Sequence, residues 1–178
     1  LEKLGVHIID TDVIAHEIVE PNSDCLNELV DYFGDSILND DKTLNRKKLA
    51  SIAFSDKQKT EALSNITHKY IKAEVVKDIN TTDAELVGID GAVIIGSNVE
   101  PLCEFIVSVI ADKQSRITRI KTRDNITDEQ AIQRINAQND DEFYKENSMY
   151  IIYNNGDIAQ LESDVVVLFN KIKGNSFE

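Results

Sequence analysis

Two carboxylates stand almost side by side in the segment "VHIIDTD", where Asp10 and Asp12 flank Thr11 and follow an apolar run. A carboxylate in such a place could attack a phosphoryl group as a nucleophile, or it could accept a proton from a substrate hydroxyl. Asp12 could also cap the helix predicted for "VIAHEIVE", because its side-chain oxygen can accept hydrogen bonds from backbone N–H groups. The pair therefore indicates phosphoryl chemistry, a helix cap, or both.

A basic segment offers the counterpart to these carboxylates. Five basic residues and no acidic ones lie between Lys113 and Arg123, in a chain whose formal net charge is −13. On a helix, Arg116, Arg119 and Arg123 share one face, and guanidinium groups suit bidentate capture of phosphate oxygens. The alternative is a solvated face that pairs with acidic neighbours: Asp112, Asp124 and Glu129. We favour phosphate binding, because a concentrated basic helix is otherwise unexpected in so acidic a chain.

Two classes of enzyme fit a carboxylate pair of this spacing. In a phosphohydrolase of the haloacid dehalogenase type, Asp10 would be the nucleophile and Asp12 the acid/base. In a phosphotransferase, one carboxylate would accept the proton of a substrate hydroxyl, while arginines and Mg²⁺ neutralise the transferring phosphoryl group. The triple-arginine face favours the phosphotransferase. Val13 and Ile14 also begin a helix where the phosphohydrolase motif has turn residues.

The bulk composition narrows the partners and the compartment. A charge of −13 argues against general binding to nucleic acid or anionic membranes, since both need a basic surface. No apolar run approaches the roughly 20 residues of a membrane span. Cys25 and Cys103 form no metal or disulfide pattern, which is typical of buried thiols in a reducing compartment. We therefore predict a cytoplasmic protein that binds neither nucleic acid nor membranes.

The three histidines do not predict a metal centre. His7, His16 and His68 have no second His or Cys at a metal-ligand spacing. We interpret His7 and His16 as surface or hydrogen-bonded histidines. His68, at the predicted start of a helix, fits that interpretation and a ligand contact equally well.

These residues need a scaffold that brings strand ends together. Short apolar strands are predicted in "VHIID", "ELVGID", "FIVSVIAD" and "MYIIY", and they alternate with helical segments. Such alternation is typical of an α/β fold, in which helices flank a parallel sheet. Ligands bind these sheets beyond the carboxyl ends of the strands. Four carboxylates are predicted to lie there: Asp10, Asp12, Asp90 and Asp112.

The chain is predicted to form one domain, because 178 residues suit a single core. The parallel-sheet core is assigned to residues 1–21, 85–112 and 149–178. Helical regions take the remainder, residues 22–84 and 113–148.

Helix boundaries carry local signals of their own. Asp112 is predicted to cap the arginine-bearing helix, and the next helix opens on a capping box of Thr127 and Gln130. Gly174 is expected to end the last helix. At the other end, "LEKL" reads as a helix that Gly5 ends, so the chain is expected to begin inside a helix.

At this point the sequence resembles a known family. The segments "LGVHIIDTDVIAHEIVEPNS", "LNRKKLASIAFSD", "ITHKYI", "RIKTRDNITDEQAIQRINAQ" and "YIIYNNGDI" are similar, in order and spacing, to dephospho-coenzyme A kinases over nearly the whole chain. The resemblance implies transfer of the γ-phosphoryl of ATP to the ribose 3′-hydroxyl of dephospho-coenzyme A, the last step of coenzyme A synthesis. It also implies a P-loop NTPase-like sheet with a helical substrate-binding region (22–84) and a lid (113–148).

The resemblance assigns the acceptor side of the reaction to four residues. Asp12 matches the base that receives the 3′-hydroxyl proton. Asp10 matches a carboxylate that helps to hold Mg²⁺ through water. Arg46 and His68 match positions near the coenzyme A substrate.

The donor side is assigned to the second half of the chain. Arg119 and Arg123 match lid-side arginines that face the ATP phosphates, and Arg116 joins them through its place on the same helix face. Asn154 and Asn155 match a turn near the adenine end. The implied partners are therefore dephospho-coenzyme A, ATP and Mg²⁺. We favour a monomer, and an oligomer is the alternative.

The chain departs from the family pattern at several positions. Gly96 replaces an acidic residue, Ala92 replaces a proline, and Lys69 follows His68 where the family has proline. Acidic residues in "DDEFYKEN" precede the position, near Tyr144 or Lys145, where the family has a basic residue.

The Gly-rich loop ending in Gly-Lys-Ser/Thr is absent from these 178 residues. Because its backbone N–H groups and lysine would cradle the β- and γ-phosphates, we expect that loop to precede Leu1. The alternatives are a catalytically inactive or truncated relative that binds a nucleotide or coenzyme A, and the phosphohydrolase that uses Asp10 and Asp12.

Overall fold

Two parallel strand pairs form the sheet structure of the protein. The computed structural model describes residues 1–175. Within them, the chain divides into two compact units, Leu1–Cys103 and the segment from Glu104 onward. Each unit contains one two-stranded parallel sheet. The single-domain organisation stays a prediction.

The sheet of the first unit pairs the first strand with a strand 80 residues further along. Strand β1 (His7–Asp10) runs parallel to β2 (Val87–Asp90). His7 lies opposite Val87 and Asp10 opposite Asp90, so both strands end in a carboxylate at the same edge. Ile9 is 2% exposed and anchors β1 in the core of this unit. The predictions for "VHIID" and "ELVGID" are confirmed.

Helices fill the chain between these strands. The side chains of Ser23, Asn45 and Asp56 cap the last three of these helices, because each accepts a hydrogen bond from the backbone of the helix it precedes. The segments "SDKQKTEALSNI" and "HKYIKAEVVKDI" form a single helix. The four helices of the first unit are α1 (Thr11–Glu17), α2 (Asp24–Phe33), α3 (Arg46–Ala53) and α4 (Lys57–Thr81).

Three short 3₁₀ turns complete the first unit, at Glu2–Leu4, Asp35–Ile37 and Glu100–Leu102. Gly5 ends the first of them with a φ of 84°, a conformation that glycine adopts without steric cost. The core of this unit lies between β1 and its helices. Its fully buried members include Ile9, Leu29, Ile37 and Val75.

The second unit repeats the strand pairing on a smaller scale. Strand β3 (Val107–Ile110) runs parallel to β4 (Tyr150–Tyr153), as the sequence predicts. A small apolar cluster of Ile117, Ala131 and Ile135 joins two of the helices. The helices of this unit are α5 (Lys113–Asp124), α6 (Asp128–Asn136), α7 (Asp141–Glu146) and α8 (Ile158–Asn175).

The helix boundaries of the second unit test the local signals. The Asp112 cap and the capping box of Thr127 and Gln130 are confirmed. The prediction for Gly174 is wrong, because α8 continues to Asn175. One glycine costs about 1 kcal/mol in a helix, which is too little to end it at that residue. In residues 1–175, no helix is both long and apolar enough to cross a membrane.

Candidate active site

The cap of α1 is Asp10, so the alternative in which Asp12 caps this helix is wrong. The Asp10 Oδ1 atom accepts hydrogen bonds from the backbone N–H of Asp12 (2.8 Å) and of Val13 (3.0 Å). A cap residue needs extended backbone angles, and the last residue of β1 already has them, with φ −87° and ψ 107°. The strand therefore passes directly into the helix, and Asp12 falls inside its first turn.

Asp12 consequently presents a free carboxylate. Its side chain is exposed, one residue into α1. Within residues 1–175, the structure gives this carboxylate neither a hydrogen-bond donor nor an ion-pair partner. A helix start also favours a negative charge, because the unpaired N–H groups and the helix dipole point toward it. Asp12 can therefore accept a proton from an incoming hydroxyl.

A close contact holds the two carboxylate-bearing strand ends in place. The Thr11 Oγ1 atom donates a hydrogen bond to the Asp90 carbonyl over 2.9 Å, and Thr11 is 9% exposed. A Cβ atom on Gly91 would lie 2.0 Å from that Oγ1, so any other residue there must displace the Thr11 side chain. This contact fixes the edge from which Asp10 and Asp12 project. The sequence analysis missed both Thr11 and Gly91.

The two residues predicted to face coenzyme A lie on helices that pack against each other. Arg46 is the first residue of α3 and is exposed. His68 is half-buried in the middle of α4, so the prediction that it starts a helix is wrong. Its carbonyl accepts a hydrogen bond from Asn98 Nδ2 (2.9 Å), which the sequence did not indicate. The Asn98 Oδ1 atom is buried without a partner among the described residues.

The basic face of α5 is divided by local ion pairs. Arg116 Nη2 lies 3.2 Å from Asp141 Oδ1 on α7. Arg123 donates to both carboxylate oxygens of Asp124, over 2.7 and 3.1 Å. These hydrogen bonds from Arg123, together with the charge of Arg134, lower the pKa of Asp124. Arg116 and Arg123 are thus already paired with carboxylates. The partner of Arg123, Asp124, is one of the acidic neighbours expected if this face were simply a solvated one.

Arg119 instead reaches the loop after β4. Its Nη2 atom donates to the Asn154 carbonyl (3.0 Å) and lies 3.3 Å from the Asn154 Oδ1 atom. Both residues line a cavity of about 670 Å³. Its other lining residues are Gly156, Asp157, Ile158, Ala159 and Leu161. The structure therefore brings together two residues predicted to bind ATP, in a concave and largely apolar place of the kind that small ligands prefer.

Asn155 faces a different way from Asn154. Its Oδ1 atom accepts a hydrogen bond from the backbone N–H of Asp112 over 2.8 Å. The Asp112 carboxylate in turn accepts from the backbone N–H (2.9 Å) and the hydroxyl (2.7 Å) of Ser115. These two hydrogen bonds lower the pKa of Asp112. The Asn155 side chain is thus hydrogen-bonded to the backbone at the junction between β3 and α5.

The departures from the family pattern have definite places in the structure. Gly96 has a φ of 80°, and its N–H donates to Glu100 Oε2 over 2.5 Å. Lys69 pairs with Glu28 on α2 over 2.5 Å. Lys145 on α7 pairs with Glu142 over 2.7 Å. Gly96, Lys69 and Lys145 therefore each contact a carboxylate of the chain.

The carboxylates at the edge of β1 and β2 suit Mg²⁺ only as outer contacts. Carboxylate oxygens are the protein ligands this ion prefers, and Asp10 Oδ2 and the Asp12 carboxylate remain available beside the Asp10 cap. Among the described residues, no three His, Cys, Asp or Glu side chains form a metal-holding group. Such a site fits Mg²⁺ that is held mainly by water and substrate phosphates.

The parallel strands β1 and β2, which both end in a carboxylate, fit the P-loop NTPase-like class of nucleotide-dependent phosphotransferases. The family model described as dephospho-CoA kinase matches residues 1–160. The chain belongs to the dephospho-CoA kinase family.

This chain resembles known proteins over most of their length. It is 33% identical over 174 residues to a dephospho-CoA kinase of Lactobacillus johnsonii, which covers 96% of this chain and 88% of that protein. It is 33% identical over 178 residues to a dephospho-CoA kinase of Listeria monocytogenes, covering 98% and 89% of the two chains.

Two solved structures have a similar fold. A Thermus thermophilus protein superposes with a TM-score of 0.81 at 21% identity, covering 96% of this chain and 86% of that one. A dephospho-CoA kinase from Campylobacter jejuni superposes with a TM-score of 0.67 at 27% identity, covering 98% and 89%. The predicted fold class, the resemblance and the function as an ATP-dependent phosphotransferase of coenzyme A synthesis are confirmed.

Proposed function

We propose that Asp12 is the general base with which this chain phosphorylates the ribose 3′-hydroxyl of dephospho-coenzyme A. The Asp12 carboxylate takes the hydroxyl proton as the 3′-oxygen bonds to the γ-phosphorus of ATP. The bond between that phosphorus and the β,γ-bridging oxygen breaks, and ADP leaves with the electron pair. The observation that supports this role is that Asp10 caps α1. The Asp12 carboxylate is therefore left without a partner in the described chain.

Asp10 takes a supporting role in this proposal. Its Oδ1 atom is occupied by two backbone N–H groups, so its Oδ2 atom is the one that faces solvent ligands. We assign to Asp10 the outer contact to Mg²⁺ through water. When bound, the ion supplies charge neutralisation on the phosphates.

Arg46 and His68 are assigned to dephospho-coenzyme A. Arg46 is exposed at the first turn of α3 and has no ion-pair partner among the described residues, so its guanidinium is available to a substrate phosphate. His68 is half-buried on the neighbouring helix α4. The packing of α3 on α4 supports placing both residues at one substrate.

The ATP side is assigned to the second unit. Arg119 and Asn154 share a cavity with apolar lining residues, which suits a nucleotide whose base is flat and apolar and whose phosphates are charged. Arg116 and Arg123 also belong to this phosphate-binding set in the proposal. Each must first leave a carboxylate. Arg123 is exposed, and an ion pair of this kind contributes only about 0–1 kcal/mol, whereas Arg116 and Asp141 are half-buried.

The proposal includes the setting of the enzyme. We infer a cytoplasmic monomer, with residues 22–84 as the substrate-binding region and 113–148 as the lid of one kinase domain. Burial raises the pKa of the Cys25 thiol to about 11, so this cysteine is an inert core residue, as expected in a reducing compartment.

Release of ADP on addition of dephospho-coenzyme A tests the proposal. We expect Asp12→Asn to lower kcat of the protein by about 10²–10⁴-fold, the usual contribution of a general base. Asp24→Asn is the matched control, because Asp24 is an exposed aspartate in the first turn of α2. Equal kcat values for Asp12→Asn and wild type would remove Asp12 from the role. Binding of both substrates without ADP release would instead favour a catalytically inactive binding module.

A further inference from the structure

We propose that Asn155 is a positioning residue for ATP binding, rather than a residue that touches ATP. Its side-chain carbonyl holds the backbone of Asp112, and thereby sets the angle at which α5 presents Arg119 to the cavity. This assignment rests on the proposed function, and it revises the role that the family resemblance implies for Asn155.

Hydrogen bonds also join the segments that follow β3 and β4, beyond the paired residues of the two strands. The Asn154 N–H donates to the Ile110 carbonyl over 2.7 Å, at the last residue of β3. Immediately after it, Asn155 Oδ1 accepts from the Asp112 N–H over 2.8 Å. The Asp112 N–H precedes the helix and has no carbonyl partner within it, so this side-chain acceptor satisfies it.

Asp112 passes this constraint to the helix. Its carbonyl accepts from the Arg116 N–H over 3.0 Å, and its carboxylate accepts from the N–H and the hydroxyl of Ser115. The first turn of α5 is therefore fixed to Asp112 at three points. Because α5 is a regular helix, the direction that its axis takes at Asp112 also determines where its next two turns lie.

Arg119 makes a second contact between α5 and the loop after β4. It lies seven residues after Asp112, a rise of about 10 Å along the helix. There its guanidinium donates to the Asn154 carbonyl over 3.0 Å. Adjacent residues Asn154 and Asn155 thus contact α5 at two places two turns apart, which fixes both the position and the tilt of the helix.

The cavity itself argues against direct contact between Asn155 and a ligand. In the described chain, the lining includes Asn154 and Gly156 but not the residue between them. The side-chain Oδ1 atom of Asn155 also already accepts a hydrogen bond, from the Asp112 N–H. Its effect on the cavity therefore passes through Asp112 and α5.

Two substitutions separate positioning from contact. Asn155→Ala removes the acceptor for the Asp112 N–H. Asn155→Asp keeps an oxygen at that place but loses the side-chain N–H donors and adds a negative charge. We expect Asn155→Ala to raise the KM for ATP by about 2- to 12-fold, the range that follows from losing one hydrogen bond. The KM for dephospho-coenzyme A should stay at the wild-type value. Asn155→Asp should lie closer to wild type than Asn155→Ala.

Direct contact with ATP makes the opposite prediction, because a carboxylate beside the phosphates would raise the KM for ATP above that of Asn155→Ala. That order, or an unchanged KM for ATP in Asn155→Ala, would overturn the proposal. Asn136→Ala is the matched control, as an exposed asparagine near the end of α6. It should leave both KM values unchanged.

Amide hydrogen exchange gives a readout that is independent of activity. In Asn155→Ala, the Asp112 and Ser115 N–H groups should exchange faster than in wild type, and Asn155→Asp should restore their protection. Unchanged exchange in Asn155→Ala would refute the positioning role even if the protein proved inactive. Absence of ADP release in wild type with the exchange pattern as expected would count against the proposed function alone.

Discussion

The hydroxyl of Thr11 donates to the carbonyl of Asp90 over 2.9 Å, and this hydrogen bond joins the carboxyl ends of β1 and β2. The contact is possible because the next residue, Gly91, has no side chain, and a Cβ there would stand 2.0 Å from Thr11 Oγ1. The strand edge that carries Asp10 and Asp12 therefore depends on a glycine in the neighbouring strand end.

Gly91→Ala tests this dependence. The added methyl group must displace Thr11, a buried neighbour, and overpacking of this kind costs about 1–3 kcal/mol. We expect urea denaturation to show a loss of that size in the free energy of unfolding, together with a lower kcat. Gly156→Ala is the control for stability, since its Cβ would make only ordinary contacts of 3.4 and 3.5 Å with Gln160. Equal stability losses in the two variants would contradict the proposed close contact.

The two roles of the Asp10 carboxylate can be separated by two substitutions. Asparagine is as good a helix cap as aspartate, whereas alanine is not, so Asp10→Ala should lose about 1 kcal/mol of stability and Asp10→Asn should lose almost none. Asp10→Asn also removes the negative charge. We expect it to raise the Mg²⁺ concentration needed for half-maximal activity, measured by titration at fixed ATP. A normal Mg²⁺ requirement in Asp10→Asn would leave Asp10 with the capping role alone.

Glu28 connects α2 to α4 in a pH-dependent way. Hydrogen bonds from Lys69 (2.5 Å) and from the Tyr70 hydroxyl (2.7 Å) hold the pKa of Glu28 below its usual value. Because the folded-state pKa is lowered, this contribution to stability is present above the unfolded pKa, near 4.5, and is lost as the pH falls through the folded value.

Thermal unfolding from pH 7 down to pH 3 measures this linkage. The difference in Tm between wild type and Glu28→Gln should be largest near neutral pH and should shrink below about pH 4.5. Glu61→Gln provides the control, as an exposed glutamate on α4 whose ion pair with Lys57 is long, at 3.8 Å. A Tm difference that does not change with pH would contradict the linkage.

Local signals predicted much of this fold, and long-range contacts account for what they missed. The caps at Asp112 and Thr127 depend on residues three positions away, so the sequence was sufficient. The capping role of Asp10 depended on where α1 begins, which is at Thr11, directly after β1, and sequence patterns locate helix starts only to within a few residues. The six-residue helix α7 has too few apolar positions to show a helical period.

The candidate site shows the same division. The spacing of the arginines on α5 predicted a shared face, and a carboxylate pair after β1 predicted an exposed edge. Their partners lie elsewhere in the chain: Asp141 for Arg116, and Asn154 for Arg119. Only the folded chain shows that Arg119 lines the cavity and that Asn155 holds Asp112 instead.

The arginines of α5 should differ in their importance for ATP. Arg119 lines the cavity, whereas Arg123 is bound to Asp124 by two hydrogen bonds and is 74% exposed. We expect Arg119→Ala to raise the KM for ATP by about 10-fold or more, since hydrogen bonds to charged groups contribute about 1.5–3 kcal/mol. Arg123→Ala should have a smaller effect, because binding through Arg123 must first break its pair with Asp124.

Steady-state kinetics with ATP varied at saturating dephospho-coenzyme A measures both variants. Lys113→Ala is the control, as an exposed cation at the start of the same helix. An Arg123→Ala variant more impaired than Arg119→Ala would place the phosphates beside Asp124 rather than at the Arg119 cavity.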